Sequence, residues 1–263
     1  MQAVVSALGA PWITSVLLLA TRIAALLMLT PLLYAVALPA MVRMALVIAL
    51  ACVLALPFAA PVALSIDAPG TLFAALLREA AVGATLGLGV LLAFAGFSVA
   101  GRLVDVQVGF GMAQVVDPQT RAHLPIVSAV FGLLAAVFFF LVDGHHALLR
   151  GVAYSVERFP PGGGGHTVLA AAPLLREGAA LFTLGFALAA PVVLGLLLLE
   201  FVLGVIARNL PQMNMLVLGL PAKILVGLFA LSAWASGFAA PARRLYEGIY
   251  HAWTAWFAAG GPR

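Results

Sequence analysis

Residues 102–123 read RLVDVQVGFGMAQVVDPQTRAH, a polar passage interrupted by glycines. It holds two Arg, two Asp, three Gln, one His and one Pro. Residues 80–101 before it carry no charged side chain, and residues 124–142 after it read LPIVSAVFGLLAAVFFFLV. Irregular backbone in lipid would leave N–H and C=O groups unpaired, at several kcal/mol per group. The passage is therefore expected to lie in water, in protein or in a pore.

The whole chain has the composition of a membrane protein. Of its 263 residues, 65% are hydrophobic and 8% are charged, against about 25% charged in soluble domains. Uncharged runs recur at close to the roughly 20 residues that cross a bilayer as a helix. They predict an all-α fold with six apolar helical units, near residues 12–30, 44–60, 71–101, 124–149, 172–207 and 222–240.

Breaks between these units predict helical hairpins, bent helices and irregular loops. Prolines bracket two turns, at 31–39 and 211–221, and residues 157–166, ERFPPGGGGH, predict a loop. Two units are over-long for a single span. In the second of these, 172–207, Pro191 predicts a kink because its ring removes a backbone hydrogen bond.

Both ends of the chain are expected to be associated with the membrane. The start, MQAVVSALGAPW, lacks a basic region and a small-residue cleavage site, so the first helix is expected to serve as the insertion signal. After residue 240 the pattern predicts a tail. Trp253 and Trp256 in this tail are expected to anchor it at the membrane interface.

Basic residues are scattered singly along the chain. The twelve Arg and one Lys give a formal net charge of +4, without a cluster that would mark a nucleic-acid or anionic-lipid patch. Nucleic acid is therefore not expected as a partner, and the scatter does not set a membrane orientation. The one cysteine, Cys52, lies in an apolar run and is expected to be a small buried hydrophobe.

Four charged residues stand inside or beside apolar segments: Arg22, Glu200, Arg208 and Lys223. A charge at a helix centre costs about 3 kcal/mol on insertion scales, so each side chain is expected to face protein rather than lipid. A contact with another subunit or an ion is one interpretation, and a wet position at the membrane edge is the other. Glu79, near the start of the third unit, is expected to lie outside the hydrocarbon.

Asp143, His145 and His146 could form a metal or proton-relay site. Their spacing is too short for two ligands on one helix face, which would be four positions apart. No second group of His, Cys or carboxylate residues accompanies them. A helix-end turn at Asp143 and Gly144 explains the pattern better. The sequence has no serine-histidine arrangement, phosphate loop or HExxH motif. No metal, cofactor or catalytic residue is predicted, and the chain is not expected to be an enzyme.

The order of several motifs resembles the FliR family of flagellar type III protein-export components. These motifs are Arg22 followed by PLLYAVALPAMVR, GFGMAQVVDPQT at 109–120, VDGHHALL at 142–149, a helix with a proline-glycine loop, and GVIARNLPQMNMLVLGLPAKI at 204–224. The SctT group of virulence injectisomes is similar in architecture but shares these motifs more loosely.

The resemblance implies a subunit of an export gate in the bacterial inner membrane. One copy would join several FliP and FliQ subunits, with FlhB, in a helical cone at the centre of the flagellar basal body. Membrane lipid would surround part of it, and unfolded flagellar proteins would pass through it. The chain would be a single subunit, with a hairpin and long helix at 1–101, a plug-like loop at 102–123, and helices at 124–263 that include a hairpin turn at 208–223.

The same resemblance places a plug across the lumen of the gate. Glycines at 109 and 111 would let the backbone fold tightly, and the apolar side chains at 110 and 112 would seal the pore against ions. The implied plug residues are Val108, Gly109, Phe110, Gly111, Met112, Ala113 and Gln114. The implied turn that returns the chain to the next helix is Asp117, Pro118 and Gln119.

Three other functions remain open at this point. A virulence export gate of the SctT group would share the architecture. A secondary transporter would use residues 101–123 and 208–223 as paired broken helices around a site at the membrane midplane. A membrane metalloenzyme would use His145 and His146.

Overall fold

The computed structural model describes residues 9–31, 39–58, 69–110, 114–116, 123–163, 171–210 and 215–260. Within these residues the chain is almost entirely helical, with one short antiparallel ribbon. The helices are α1 (Ala10–Leu29), α2 (Ala40–Phe58), α3 (Pro69–Val108), α4 (Ile126–Leu141), α5 (Gly144–Arg158), α6 (Ala171–Asn209), α7 (Met215–Trp234) and α8 (Ala239–Gly260). The ribbon pairs β1 (Gln114–Val116) with β2 (His123–Pro125), and a 3-10 turn (Ala235–Gly237) precedes α8.

The predicted all-α membrane architecture is confirmed. Four described helices are long and apolar enough to cross a membrane: Pro11–Leu29, Gly70–Val108, Gly178–Asn209 and Val217–Gly237. A fifth span results if α4 and α5 count together, and α2 is a shorter apolar helix over Ala40–Leu56. The two over-long units expected from the sequence are the 40-residue α3 and the 39-residue α6, which contains Pro191.

The polar passage begins later than the sequence indicates. Residues 102–108 were expected to be irregular but are the last turns of α3. Their pattern fits a helix with one covered face, because Val104 and Val108 are buried while Arg102 and Val106 are exposed. Asp105, on the covered face, accepts the N–H groups of Val127 and Ser128, so its polarity does not interrupt the helix.

Three further boundaries differ from the sequence prediction. The hairpin turn predicted at 208–223 is shorter, because α7 begins at Met215 and contains Pro221. The unit expected at 124–149 is two helices, because Asp143 adopts a left-handed conformation at φ 54° and ends the first of them. The segment after 240, expected to be a tail, forms α8. Trp253 and Trp256 are buried in protein and are not interfacial anchors. The segment mixes charged and aromatic residues because α8 is an amphipathic helix with a wide aromatic face. Composition alone does not distinguish this mixture from that of a tail.

The chain divides into two compact units. The first comprises residues up to Leu91, residues 143–177 and residues from Gly248 onward. Its described core packs α1 directly against the first half of α3. A Cβ atom at Gly83 would overlap the carbonyl oxygen of Arg22, and one at Gly87 would lie 2.8 Å from the carbonyl oxygen of Leu26. Glycine is therefore required where these two backbones touch.

The second unit comprises residues 92–142 and 178–247. Here α3 and α6 cross at another glycine pair, since a Cβ at Gly185 would lie 2.6 Å from the carbonyl oxygen of Gly96. An aromatic cluster fills the core beside this crossing, and the Tyr246 hydroxyl donates to the carbonyl oxygen of Ala135 at 2.7 Å. The cluster consists of Phe94, Phe97, Phe131, Phe138, Phe139, Phe238 and Tyr246.

We expect Gly185→Ala to destabilise the isolated chain, because the added methyl group forces α3 and α6 apart. Overpacking of this kind costs about 1–3 kcal/mol. Gly204→Ala in the same helix is the matched control, since a Cβ there meets nothing within 4 Å. The unfolding midpoints of both variants in detergent test the prediction. Equal midpoints would show that the Gly96–Gly185 crossing does not limit packing.

Candidate functional site

The polar passage leaves the end of α3 through a glycine. The Gly109 backbone has a φ of 95°, a left-handed conformation that glycine adopts without strain, and its N–H donates to the carbonyl oxygen of Asp105 at 3.1 Å. A Cβ at Gly109 would lie 2.8 Å from Leu220 Cδ1 of α7. The left-handed conformation of Gly109 and its close contact with Leu220 together explain why α3 ends at Val108.

Asp105 connects the end of α3 to the beginning of α4. Its side chain is buried, with the residue 1% exposed, and it accepts the backbone N–H groups of Val127 and Ser128 at 2.9 and 2.8 Å. It also accepts the Ser128 hydroxyl at 2.6 Å. Gly101 permits this approach, because a Cβ there would lie 2.7 Å from the Cα of Ser128.

Only part of the predicted plug lies among the described residues. Val108 belongs to α3, is 1% exposed and packs against α7, where a Cβ at Gly227 would lie 2.7 Å from its Cγ2. Gly109 is exposed, Phe110 is partly exposed, and Gln114 begins β1. The other predicted residues of the plug and its return turn lie outside the described part: Gly111, Met112, Ala113, Asp117, Pro118 and Gln119.

The two sides of the passage pair as a short ribbon before α4. In the antiparallel register, Gln114 faces Pro125, Val115 faces Leu124, and Val116 faces His123. Three pairs are too few for an independent hairpin, so the ribbon depends on the helices at its ends.

Arg22 lies in the first unit, with all three guanidinium nitrogens engaged. Nε donates to Glu79 Oε2 at 2.7 Å, Nη1 to the Ser155 hydroxyl at 3.1 Å, and Nη2 to the carbonyl oxygen of Phe159 at 2.7 Å. The second Glu79 oxygen accepts the Gly162 N–H at 3.3 Å. This buried cluster ties α1, α3, α5 and the turn after α5 together.

The partners of Arg22 are therefore in its own chain. A contact with another subunit or an ion, or a wet position at the membrane edge, was expected for Arg22, and the side chain is 1% exposed within its own chain. Glu79, near the helix start, is buried as the counter-ion of Arg22. Its position on the face of α3 shared with Gly83 could have indicated this, because both residues then meet α1.

The other predicted polar contacts lie on the second unit. Lys223 of α7 donates to Glu200 of α6, and both side chains are partly exposed, at 27% and 37%. Arg208, in the last turn of α6, is exposed. Neighbouring apolar side chains on these helices are also exposed, including Phe201 at 72% and Phe229 at 76%. This ion pair thus sits on a largely apolar surface.

Asp143, His145 and His146 come closer together than their spacing indicated. Their potential ligand atoms lie within 4.8 Å of one another, and His146 Nδ1 is 3.3 Å from Asp143 Oδ1. The left-handed conformation of Asp143 at the start of α5 brings them together. Asp143 and His146 are exposed. The positive end of the helix dipole at this position favours the carboxylate and opposes a cation.

Comparison with known proteins identifies the family. Residues 13–249 match the family described as bacterial export proteins, family 1. The chain belongs to this family. The resemblance to FliR that its motif order indicates is confirmed.

The relatives include flagellar biosynthetic proteins and a surface presentation of antigens protein. The flagellar biosynthetic protein FliR of Bacillus subtilis (strain 168) is 38% identical over 176 residues, which are 65% of this chain and 66% of that protein. The FliR of Caulobacter vibrioides is 26% identical over 218 residues, covering 83% of this chain and 87% of the relative. The surface presentation of antigens protein SpaR of Shigella sonnei is 28% identical over 156 residues, 59% of this chain and 60% of SpaR. The chain spans about two thirds of the Bacillus relative.

We expect Glu79→Ala to lower the free energy of unfolding by about 3–5 kcal/mol, because it leaves the Arg22 charge buried without a counter-ion. Glu157→Ala on the exposed face of α5 is the control and should change little. The double variant Arg22→Met with Glu79→Leu should recover most of the loss, because it removes both charges. Unfolding of the purified chain measures all three. A Glu79→Ala protein as stable as the control would contradict the prediction.

Proposed function

We propose that this chain is a structural, pore-forming subunit of the flagellar type III protein export gate. It helps to form and seal the channel through which unfolded flagellar proteins leave the cell, and it does no chemistry itself. Membership of the export family carries the proposal. The helices long enough to cross a membrane support it, as does a polar passage set at the junction of α3 and α4.

Residues 109–114 form the seal in this proposal. Phe110 and Met112 supply apolar bulk, and glycines on either side of Phe110 allow the compact backbone that a pore requires. The turn at Asp117, Pro118 and Gln119 returns the chain to β2. The Val108 side chain, buried beside Gly227, belongs to the support of the seal.

The partners proposed are FliP, FliQ and FlhB in the inner membrane, at the flagellar basal body. Glu200, Lys223 and Arg208 meet neighbouring subunits in this assembly. Their partial exposure on an apolar surface supports the assignment, because charged groups facing lipid would be costly there. Arg22, predicted together with them, has its partners within the chain.

A virulence export gate is the second candidate, favoured by the similarity to the Shigella protein. A deletion strain separates the two systems. Loss of swimming with unchanged secretion of virulence proteins supports the flagellar assignment, and the reverse result supports the virulence assignment.

Deletion of residues 109–114 should leave the complex assembled but make the membrane permeable to small ions, because the proposed seal is removed. The paired substitution Phe110→Ala with Met112→Ala should give a smaller leak. Val106→Ala, at a side chain 74% exposed on α3, is the control and should seal like the wild type. Ion conductance of cells expressing each variant is the measurement. Unchanged conductance in the deletion would rule out the plug.

A tagged chain should co-purify with several other membrane subunits in mild detergent, whereas a secondary transporter should not. Exchanging the charges, with Glu200→Lys and Lys223→Glu together, retains an ion pair within the chain but reverses the charges offered to a neighbour. We expect this double variant to lose co-purifying subunits. If it retains them in full yield, the pair serves only its own chain.

A further inference from the structure

A groove lies between α1 and α2 in the first unit. Its volume is about 370 Å³, which falls within the range of small-molecule binding sites. Its walls are small or apolar side chains together with one arginine, and we call it the α1–α2 groove. The residues that line it are Ala24, Leu27 and Met28 of α1, and Ala40, Arg43, Met44, Val47 and Ile48 of α2.

The α1–α2 groove is too narrow to hold a helix. Its wall on α2, from Ala40 to Ile48, extends over about 12 Å of helix axis at about 1.5 Å per residue. The volume divided by this length gives a mean cross-section of about 30 Å². A helix with its side chains is about 10–12 Å across, so its cross-section is at least about 80 Å². The groove therefore fits a thin, flexible chain.

The walls of the groove suit a hydrocarbon chain. Met28 of α1 and Met44 of α2 are 72% and 63% exposed, and methionine adapts its shape to an irregular apolar neighbour. Helix α1 is long and apolar enough to cross a membrane, and α2 is a shorter apolar helix beside it. Exposed apolar surface of this kind marks a contact with membrane or partner. Lipid is the source of thin hydrocarbon chains in that setting.

Arg43 makes one end of the α1–α2 groove positive. It lies in the first turn of α2, where the helix dipole is also positive, and this turn has no acidic residue. An anion is therefore favoured at this end of the groove. The guanidinium has five N–H donors in a fork that matches phosphate oxygens, so it can bind a phosphate alongside another contact.

We propose that the α1–α2 groove binds an anionic phospholipid of the bilayer. One acyl chain lies between α1 and α2, and Arg43 binds the phosphate. The charged end of the groove is next to the start of α2, and the apolar walls lead away from it toward Ile48, which gives the lipid its direction. The chain fills space that neither helix fills and so stabilises their packing. This inference does not depend on the seal proposed at residues 109–114.

Filling the groove tests the acyl chain. Ala24→Phe places a ring in the groove from α1. Ala49→Phe is the matched control, because Ala49 is exposed on the side of α2 that faces away from the groove. Each full-length chain is stripped of lipid in mild detergent and titrated with phosphatidylglycerol, and native mass spectrometry counts the lipid bound per chain. The wild type and Ala49→Phe should bind one phosphatidylglycerol more than Ala24→Phe. Equal binding by the two variants overturns the proposal.

Changing Arg43 tests the phosphate contact. Arg43→Gln should raise the half-saturating concentration of phosphatidylglycerol about tenfold, the factor expected for losing a hydrogen bond to a charged group, and Arg43→Lys should keep most of the affinity. Arg102→Gln, at an exposed position on α3, is the control. Diacylglycerol, which lacks the phosphate, should bind the wild type as weakly as phosphatidylglycerol binds Arg43→Gln. Equal affinities of Arg43→Gln and Arg102→Gln overturn the proposal, and this comparison decides the matter if Ala24→Phe does not fold.

A side chain of a neighbouring subunit is the other occupant that the experiment distinguishes. Complexes purified with the Ala49→Phe chain should carry one phospholipid more than complexes with Ala24→Phe, and both should keep all their subunits. If Ala24→Phe instead releases a subunit while the phospholipid content stays the same, protein fills the groove and the proposal is wrong.

Discussion

Charged groups in this apolar chain are buried where their hydrogen bonds are completed by the chain itself. An isolated ion away from water is too costly to keep, and breaking a buried pair by removing one partner costs several kcal/mol. Arg22 meets this constraint with Glu79, Ser155 and a carbonyl oxygen, and Asp105 meets it with the start of α4. Each of these residues therefore specifies which helices lie together.

Apolar packing specifies much less in a chain of this composition. Leucine, valine and alanine occur on almost every helix face, so many pairings would bury similar areas. Glycine contacts limit which helices can pair, because glycines such as Gly83 and Gly185 admit another backbone at close range. Broad apolar faces remain exposed on α6 and α7, and in an export complex such faces meet lipid or neighbouring subunits.

The sequence predicts the helices well and their partners poorly. Apolar runs of membrane length predict six helical units, and the described residues of each are mostly helical, with the fourth unit divided at Asp143. The wrong predictions concern polar segments that were expected to be irregular but are helical, namely residues 102–108 and the amphipathic α8. The contact between Arg22 and Glu79 joins residues 57 positions apart, and only the shared helix face of Glu79 and Gly83 indicates it. The plug residues came from motif order, and periodicity alone would not have indicated them.

The turn after α5 also sets a limit on where the chain tolerates change. Phe159 and Gly162 contact the Arg22–Glu79 ion pair through their backbones, so the length of this turn matters, and the φ of 72° at Gly162 is one that glycine adopts without strain. The glycine run continues beyond it to Gly165. A label inserted beyond Gly163 would leave the chain length between Phe159 and Gly162, and with it both backbone contacts to the ion pair, unchanged.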